Sequence, residues 1–199
     1  MDNILNNNFA ELSGILAEFP KYSHENHGVK FYNMPVSVRR LSGTKDIINI
    51  LAKETLLSPI ALTEQIPLHI FGHLRTYNNK TGNGPKLIVS LFAREILIAD
   101  MPPKNDIILN GTICKNPNLR TTPLGREICD FMLAVNRKYG KSDYIPCIAW
   151  GMNAREIARK SIGDTLTVSG RLQSRKYTKI IENQAIEKTA YEVSLIEFE

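Results

Sequence analysis

The strongest constraint on this chain is that its pattern is written twice. Setting Gly14 against Gly111, 97 residues on, places Glu11–Ile15 (ELSGI) opposite Ile108–Thr112 (ILNGT). At the same spacing Val36–Arg40 (VSVRR) meets Leu133–Arg137 (LAVNR), Gly43 meets Gly140, Asp46 meets Asp143, and Ile50-Leu51-Ala52 meets Cys147-Ile148-Ala149. Ile70–Leu74 (IFGHL) then meets Val168–Leu172 (VSGRL) at 98, and Val89-Ser90-Leu91 meets Val193-Ser194-Leu195 at 104. The order of apolar runs and glycines is the same in both halves, with two changes of spacing. The second change makes the last hairpin six residues longer in the second half. Such an ordered series argues for two copies of one supersecondary unit. The predicted domains are residues 1–103 and 104–199, joined near Asp100-Met101-Pro102-Pro103-Lys104, where two prolines stiffen the backbone.

Within the second copy, Asp106–Thr112 is predicted as a strand, with Gly111 marking a bulge or bend. Asn116-Pro117-Asn118 and Thr122-Pro123-Leu124-Gly125 are turn signals. Ile128–Asn136 (ICDFMLAVN) and Asp143–Trp150 (DYIPCIAW) are further strands, the latter an edge or bulged one because of Pro146. Asn153 as N-cap, then Ala154, Ile157 and Ala158 at helical spacing, and Gly163 as terminator predict one short amphipathic helix. Thr165–Leu172 and Tyr191–Glu199 complete five strands. In the first copy the helix signal is Ser58 as N-cap, Pro59 at the first helical position, then Ala61, Leu62 and Ile66. The expected fold is all-β: two tandem five-stranded OB-fold barrels, each with one short helix between strands 3 and 4.

Residues Ile108–Tyr177 carry N-P-N-L-R, T-P-L-G, then F-M-L-A-V-N-R-K-Y, then A-W-G-M-N-A-R-E, then V-S-G-R-L-Q-S-R-K-Y. This ordered set resembles the bacterial single-stranded DNA-binding proteins. The first copy lacks the N-P-x-L-R and T-P-x-G pieces and keeps the glycines and the strand pattern, so its kinship rests on the repeat. The resemblance implies non-catalytic coating of single-stranded DNA in replication, recombination or repair, with RNA left open as a ligand. It also implies base stacking at Tyr139, Tyr144, Trp150 and Tyr177, which fall on the family's aromatic positions. By the 97-residue spacing the first copy has Ser42, Ile47 and Lys53 at three of these, and Tyr77 lies near the fourth. Proteins of this family typically present four OB folds together, so a chain with two implies a homodimer. The chain ends in IEFE, needed for the fifth strand, so the acidic tail by which the family recruits partners is expected to be absent.

The chemistry of a sequence-tolerant single-strand binder is π-faces for bases and cations for phosphates. The second copy interleaves them: Arg137 and Lys138 beside Tyr139, and Arg171, Arg175, Lys176, Tyr177 and Lys179 along a hairpin, with Arg120 and Arg126 flanking a turn. An ordinary solvated hairpin would carry the same residue types, and Trp150 suits a core position as well as a binding one. Arg155, Arg159 and Lys160 read as the solvated face of the helix. The net charge is +5, and from Lys104 onward 15 Lys and Arg stand against 11 Asp and Glu, so the second copy carries most of the basic excess.

Other classes find little support. The three cysteines, Cys114, Cys129 and Cys147, form no C-x-x-C pair and read as small buried hydrophobes. His24 and His27 are three apart in a turn-like stretch with no clustered acidic partner, and these two with His69 and His73 read as isolated surface histidines, so neither a metal nor a cofactor is expected. Lys80–Pro85 (KTGNGP) reads as a hairpin tip rather than a phosphate loop. No nucleophile–base–acid constellation stands out in the sequence. No apolar run is long enough to span a bilayer and the N-terminus lacks a secretory pattern, so a cytoplasmic protein is expected. The competing reading is a replisome or mobile-element interaction protein whose OB folds serve mainly protein contacts. Aromatics exposed on one face would favour DNA, and aromatics buried in the barrel would favour protein contacts.

Overall fold

The computed structural model describes residues 7–60, 62–79, 85–181 and 184–199. The chain divides into two compact units. The first comprises residues 9–75 and 90–106; the second comprises 107–199 together with the described parts of 1–8 and 76–89.

The first unit is built from β1 (Asn8–Leu16), β2 (Lys21–Asn26), β3 (Val29–Arg39), β4 (Lys45–Lys53), α1 (Glu54–Leu57), β5 (Pro67–Asn78) and β6 (Leu87–Ile98). The second repeats the order with β7 (Lys104–Ile113), β8 (Asn118–Thr121), β9 (Glu127–Asn136), β10 (Ser142–Trp150), α2 (Gly151–Ile157), β11 (Thr165–Ile181) and β12 (Gln184–Phe198). In the first unit β1 pairs with β5 and, at Ile15 and Leu16, with β3; β3 pairs with β4, and β4 runs parallel to β6 at Ile50 and Leu51. The second unit closes identically: β7 with β11 and β9, β9 with β10, and β10 parallel to β12 at Cys147 and Ile148. These are two OB-fold barrels. Each adds one strand to the expected five, β2 or β8, hydrogen-bonded along β3 or β9.

Alternation fills each barrel. Met34, Val36 and Val38 on β3 and Ile48, Ile50 and Ala52 on β4 point inward, and so do Leu133, Val135 and Ile145 in the second unit. Closing so small a barrel brings strands into near contact, and the repeated glycines sit where this happens. A Cβ at Gly14 would lie 2.5 Å from the Ser37 carbonyl oxygen, and at Gly111 2.9 Å from that of Ala134. At Gly72 it would lie 2.2 Å from the Phe92 oxygen, and at Gly170 2.5 Å from that of Ser194. Gly170 also borders a register shift between β11 and β12. Pro146 falls just before the parallel contact begins at Cys147, where β10 has β9 alone as partner and a missing N–H costs no ladder bond. Cys129 and Cys147 are buried and all three thiols are free. Burial pushes the Cys147 thiol pKa well up.

Both helices start earlier than expected. In the first unit Ser58 is the C-cap of α1, not an N-cap, and its N–H donates to the Glu54 carbonyl. Ser58 keeps helical φ and ψ, but Pro59 has no N–H with which to extend the ladder, so it ends the turn instead of starting one; Ala61 lies outside the described residues. In the second unit Gly151, at φ +57°, turns the chain directly from β10 into α2. Asn153 is therefore inside the helix, and its side-chain amide donates to the Ile196 carbonyl instead of capping. The helix ends at Ile157, before Gly163.

A second device occurs in both units. After β3, Arg40 forks onto Asp46 at the start of β4, with Nε and Nη2 each 2.6 Å from a carboxylate oxygen. After β9, Arg137 does the same to Asp143, with Nε 2.5 Å from Oδ2 and Nη2 on Oδ1. Both aspartates are fully buried. Asp143 also accepts the backbone N–H of Thr76, and Arg137 Nη2 donates to the Thr76 carbonyl at 3.1 Å. Each fork staples the loop that joins two barrel strands.

Two outcomes follow from this packing. Gly72→Ala and Gly170→Ala should each lower the unfolding free energy by about 1–3 kcal/mol in urea denaturation, because the new methyl must push backbone apart. An unchanged midpoint would mean the strands separate without cost. Arg137→Ala should cost about 3–5 kcal/mol by leaving a buried carboxylate uncompensated. Wild-type stability in that variant would show the fork to be dispensable.

Candidate nucleic-acid interface

On β10 the inward positions are Asp143, Ile145, Cys147 and Ala149, so Tyr144 and Trp150, six residues apart, project from the opposite, outer face. Tyr144 is 50% and Trp150 42% exposed, which assigns Trp150 to the surface rather than the core. The outer face continues across the sheet by register. Trp150 pairs with Ile128 on β9, which pairs with Arg120 on β8. In the other direction Ile148 pairs with Ser194 on β12, which pairs with Arg171 on β11. Arg175 and Tyr177 follow Arg171 on the same side, four and six residues on, and Tyr177 is 36% exposed. Lys176 falls on the other face of the hairpin, where Glu187 binds its ammonium at 2.9 Å and raises its pKa.

A groove of about 520 Å³ runs over this face between Tyr177 and the outward residues Asp130, Met132 and Pro146. Arg175, Lys115 and Lys188 line it, and Lys86 and Leu87, from the end of the β5–β6 hairpin, close one side. The sequence reading missed Lys86, Lys115 and Lys188. Lys188 stands directly across from Tyr177, which becomes visible once the hairpin register is known. Lys86 lies about ninety residues away in the chain and gives no local signal.

The predicted cations are not equivalent. Arg137 is held in its fork and is a framework residue in this structure. Arg120 places Nε 2.5 Å from Asp130, a contact that raises its pKa further. Arg175 reaches Glu192 at 3.2 Å from the groove. Arg126 is exposed on the β8–β9 turn. Of Tyr139, on a short 3-10 turn at Lys138–Gly140, and of Lys179, on β11, only the backbone is described. Arg155 on α2 pairs with Glu127 at 2.5 Å, as expected of a solvated helix face.

In the first unit the fold assembles a constellation that the sequence hides. Ser13 and His69 are cross-strand partners, and the Ser13 hydroxyl lies 2.8 Å from Nδ1. Nε2 lies 3.0 Å from Glu11, whose other oxygen is 2.7 Å from Lys104. A hydroxyl–imidazole–carboxylate chain of this kind resembles a hydrolytic triad in composition. Ser13 is 1% and His69 3% exposed, however, so the hydroxyl has no approach for a substrate. The chain works as a polar clamp, and the Glu11 hydrogen bond raises the Lys104 pKa. Among the described residues no cluster of His, Cys, Asp and Glu could hold a metal ion. No helix among them is long and apolar enough to cross a membrane.

The sequence profile of the single-strand binding protein family matches residues 104–199. Single-stranded DNA-binding protein A of Bacillus subtilis is 38% identical over 87 residues, covering 40% of this chain and 48% of the relative. Single-stranded DNA-binding protein 1 of Lactococcus lactis is 33% identical over 91 residues, covering 42% and 58%. The chain thus spans about half the length of the curated relatives it matches. The crystal structure of wild-type single-stranded DNA binding protein from Thermus aquaticus superposes with a TM-score of 0.77 at 21% identity, covering 96% of this chain and 91% of that one. At that identity the likeness concerns the fold, and it extends over both units. The single-strand binding protein family's model thus matches the second half of the chain, and the fold of the whole is shared with the Thermus aquaticus protein.

Proposed function

We propose that this chain binds single-stranded DNA with little sequence preference and serves DNA replication, recombination or repair. The observation that carries the reading is the outer face of the second unit, where Tyr144, Trp150 and Tyr177 are exposed together and cations line the adjoining groove. Stacking on these rings is indifferent to base identity because every base has a π-face. Arg175, Lys115 and Lys188 are placed for phosphates, and Arg171 lies along the same face. Outward rings suit protein contacts too, but the lysines beside them do not, since lysine is depleted at protein interfaces, so the DNA reading is preferred over the interaction reading. The role is binding without catalysis, in the cytoplasm, and two chains associate to present four barrels. The first unit supports association by leaving Ile15, Leu97 and Ile98 about half exposed.

The test is a titration with oligo-dT followed through the fluorescence of Trp150, the only tryptophan. Binding should quench it, and log K should fall with log salt by about 0.7 per phosphate neutralised. Affinity indifferent to salt would sink the phosphate contacts. Tyr177→Ala should lose about 1–3 kcal/mol, and Tyr77→Ala less; equal losses would move the stacking surface elsewhere. Oligo-rU of equal length measures the preference for DNA over RNA. Light scattering at micromolar concentration should return the mass of two chains, and a single-chain mass would exclude a stable dimer.

A further inference from the structure

The register shows a substitution between the units that alignment by residue type conceals. In the second unit one outer row crosses three strands as Arg120, Ile128 and Trp150. The matching row of the first unit is His24, Phe31 and Lys53. Lys53 and Trp150 are equivalent on independent grounds, since each is the N-cap residue of its unit's helix. The tryptophan position has become a cation, the central aliphatic has become an aromatic, and the outer cation has become an imidazole. The row keeps a ring and a positive charge but exchanges the strands that supply them.

The geometry of the new row suits a base. The His24 ring lies over the Phe31 ring with centroids 4.9 Å apart and planes within 11° of parallel. Phe92 backs Phe31 at 6.0 Å. Ser23 hydrogen-bonds His24 Nδ1 at 3.0 Å and sets the ring's orientation. Phe31 is nearly buried, whereas His24 and Lys53 are exposed. Lys53 forms no ion pair among the described residues, so its ammonium is available to a phosphate.

We infer that the first unit carries its own single-strand subsite, in which a base stacks on His24, supported by Phe31, and Lys53 holds the adjoining phosphate. This rests on the reading of the chain as a single-strand binder, and it places the first unit's stacking surface on β2 and β3 instead of β4.

The experiment compares the full-length chain with a His24→Ala/Lys53→Ala double variant on a length series of oligo-dT. Short oligonucleotides that fill one unit report through Trp150 and should bind both proteins alike. Oligonucleotides long enough to occupy both units should bind the variant on the order of tenfold more weakly, the loss of about one stacked base. His24→Tyr, which enlarges the exposed ring, should keep or tighten long-oligonucleotide binding. Bromouracil-substituted oligonucleotides should crosslink within residues 21–31 as well as in the second unit. Unchanged long-oligonucleotide affinity, equal losses at all lengths, or crosslinks confined to the second unit would each overturn the subsite while leaving the proposed function intact. Failure of the wild-type chain to bind any oligonucleotide would overturn both.

Discussion

Five short strands close into a barrel only if, at a few points, two backbones come closer than a side chain allows. In this protein those points are Gly14 and Gly72 in the first unit and Gly111 and Gly170 in the second. At each, a methyl group would lie 2.2–2.9 Å from a carbonyl oxygen of the strand it crosses. Everything else depends on that closure. It sends Met34, Ile48 and Leu133 inward, and it leaves the alternate positions of the same strands facing out. The outer face on which function rests is the complement of a packed interior.

The Arg–Asp fork complements the glycines by setting the start of one barrel strand. Asp46 and Asp143 are buried at the head of β4 and β10, so the residue that follows each must point outward. That residue is Ile47 in one unit and Tyr144 in the other. A buried charge pair is weak evidence for stability as such, because desolvation offsets much of the attraction. Its worth here is positional: the same staple in both units aims the next side chain at the same place, and the side chain can then change freely.

That freedom explains why two copies of one scaffold differ so much on the surface. The cross-strand pair Asn110–Thr167 is exposed and joined by one hydrogen bond of 2.9 Å. Its counterpart in the first unit, Ser13–His69, is buried within the clamp that runs to Glu11 and Lys104. Rows that meet solvent tolerate exchange of aromatic and cation between strands, as His24, Phe31 and Lys53 do relative to Arg120, Ile128 and Trp150. Barrel-closing positions do not, because backbone clearance there admits one residue type.

Much of this was legible in the chain itself. Apolar alternation, the four glycines and the repeat spacing determined the number of barrels and their strand order, whereas the outward position of Trp150 was left open by the sequence and decided by the structure. The helix starts were misread because Ser58 and Asn153 satisfy a local capping rule, whereas the chain's path out of β4 and β10 places the first turn earlier. The short strands Lys21–Asn26 and Asn118–Thr121 were missed because they are polar edge segments ordered by pairing with β3 and β9 rather than by burial. What only the tertiary structure decided is which charges are spent within the fold and which are offered to a ligand. Arg137 and Lys188 look alike in the sequence. One is consumed by a buried aspartate and the other stands across from Tyr177, because strand register, a property of residues far apart in the chain, assigns their partners.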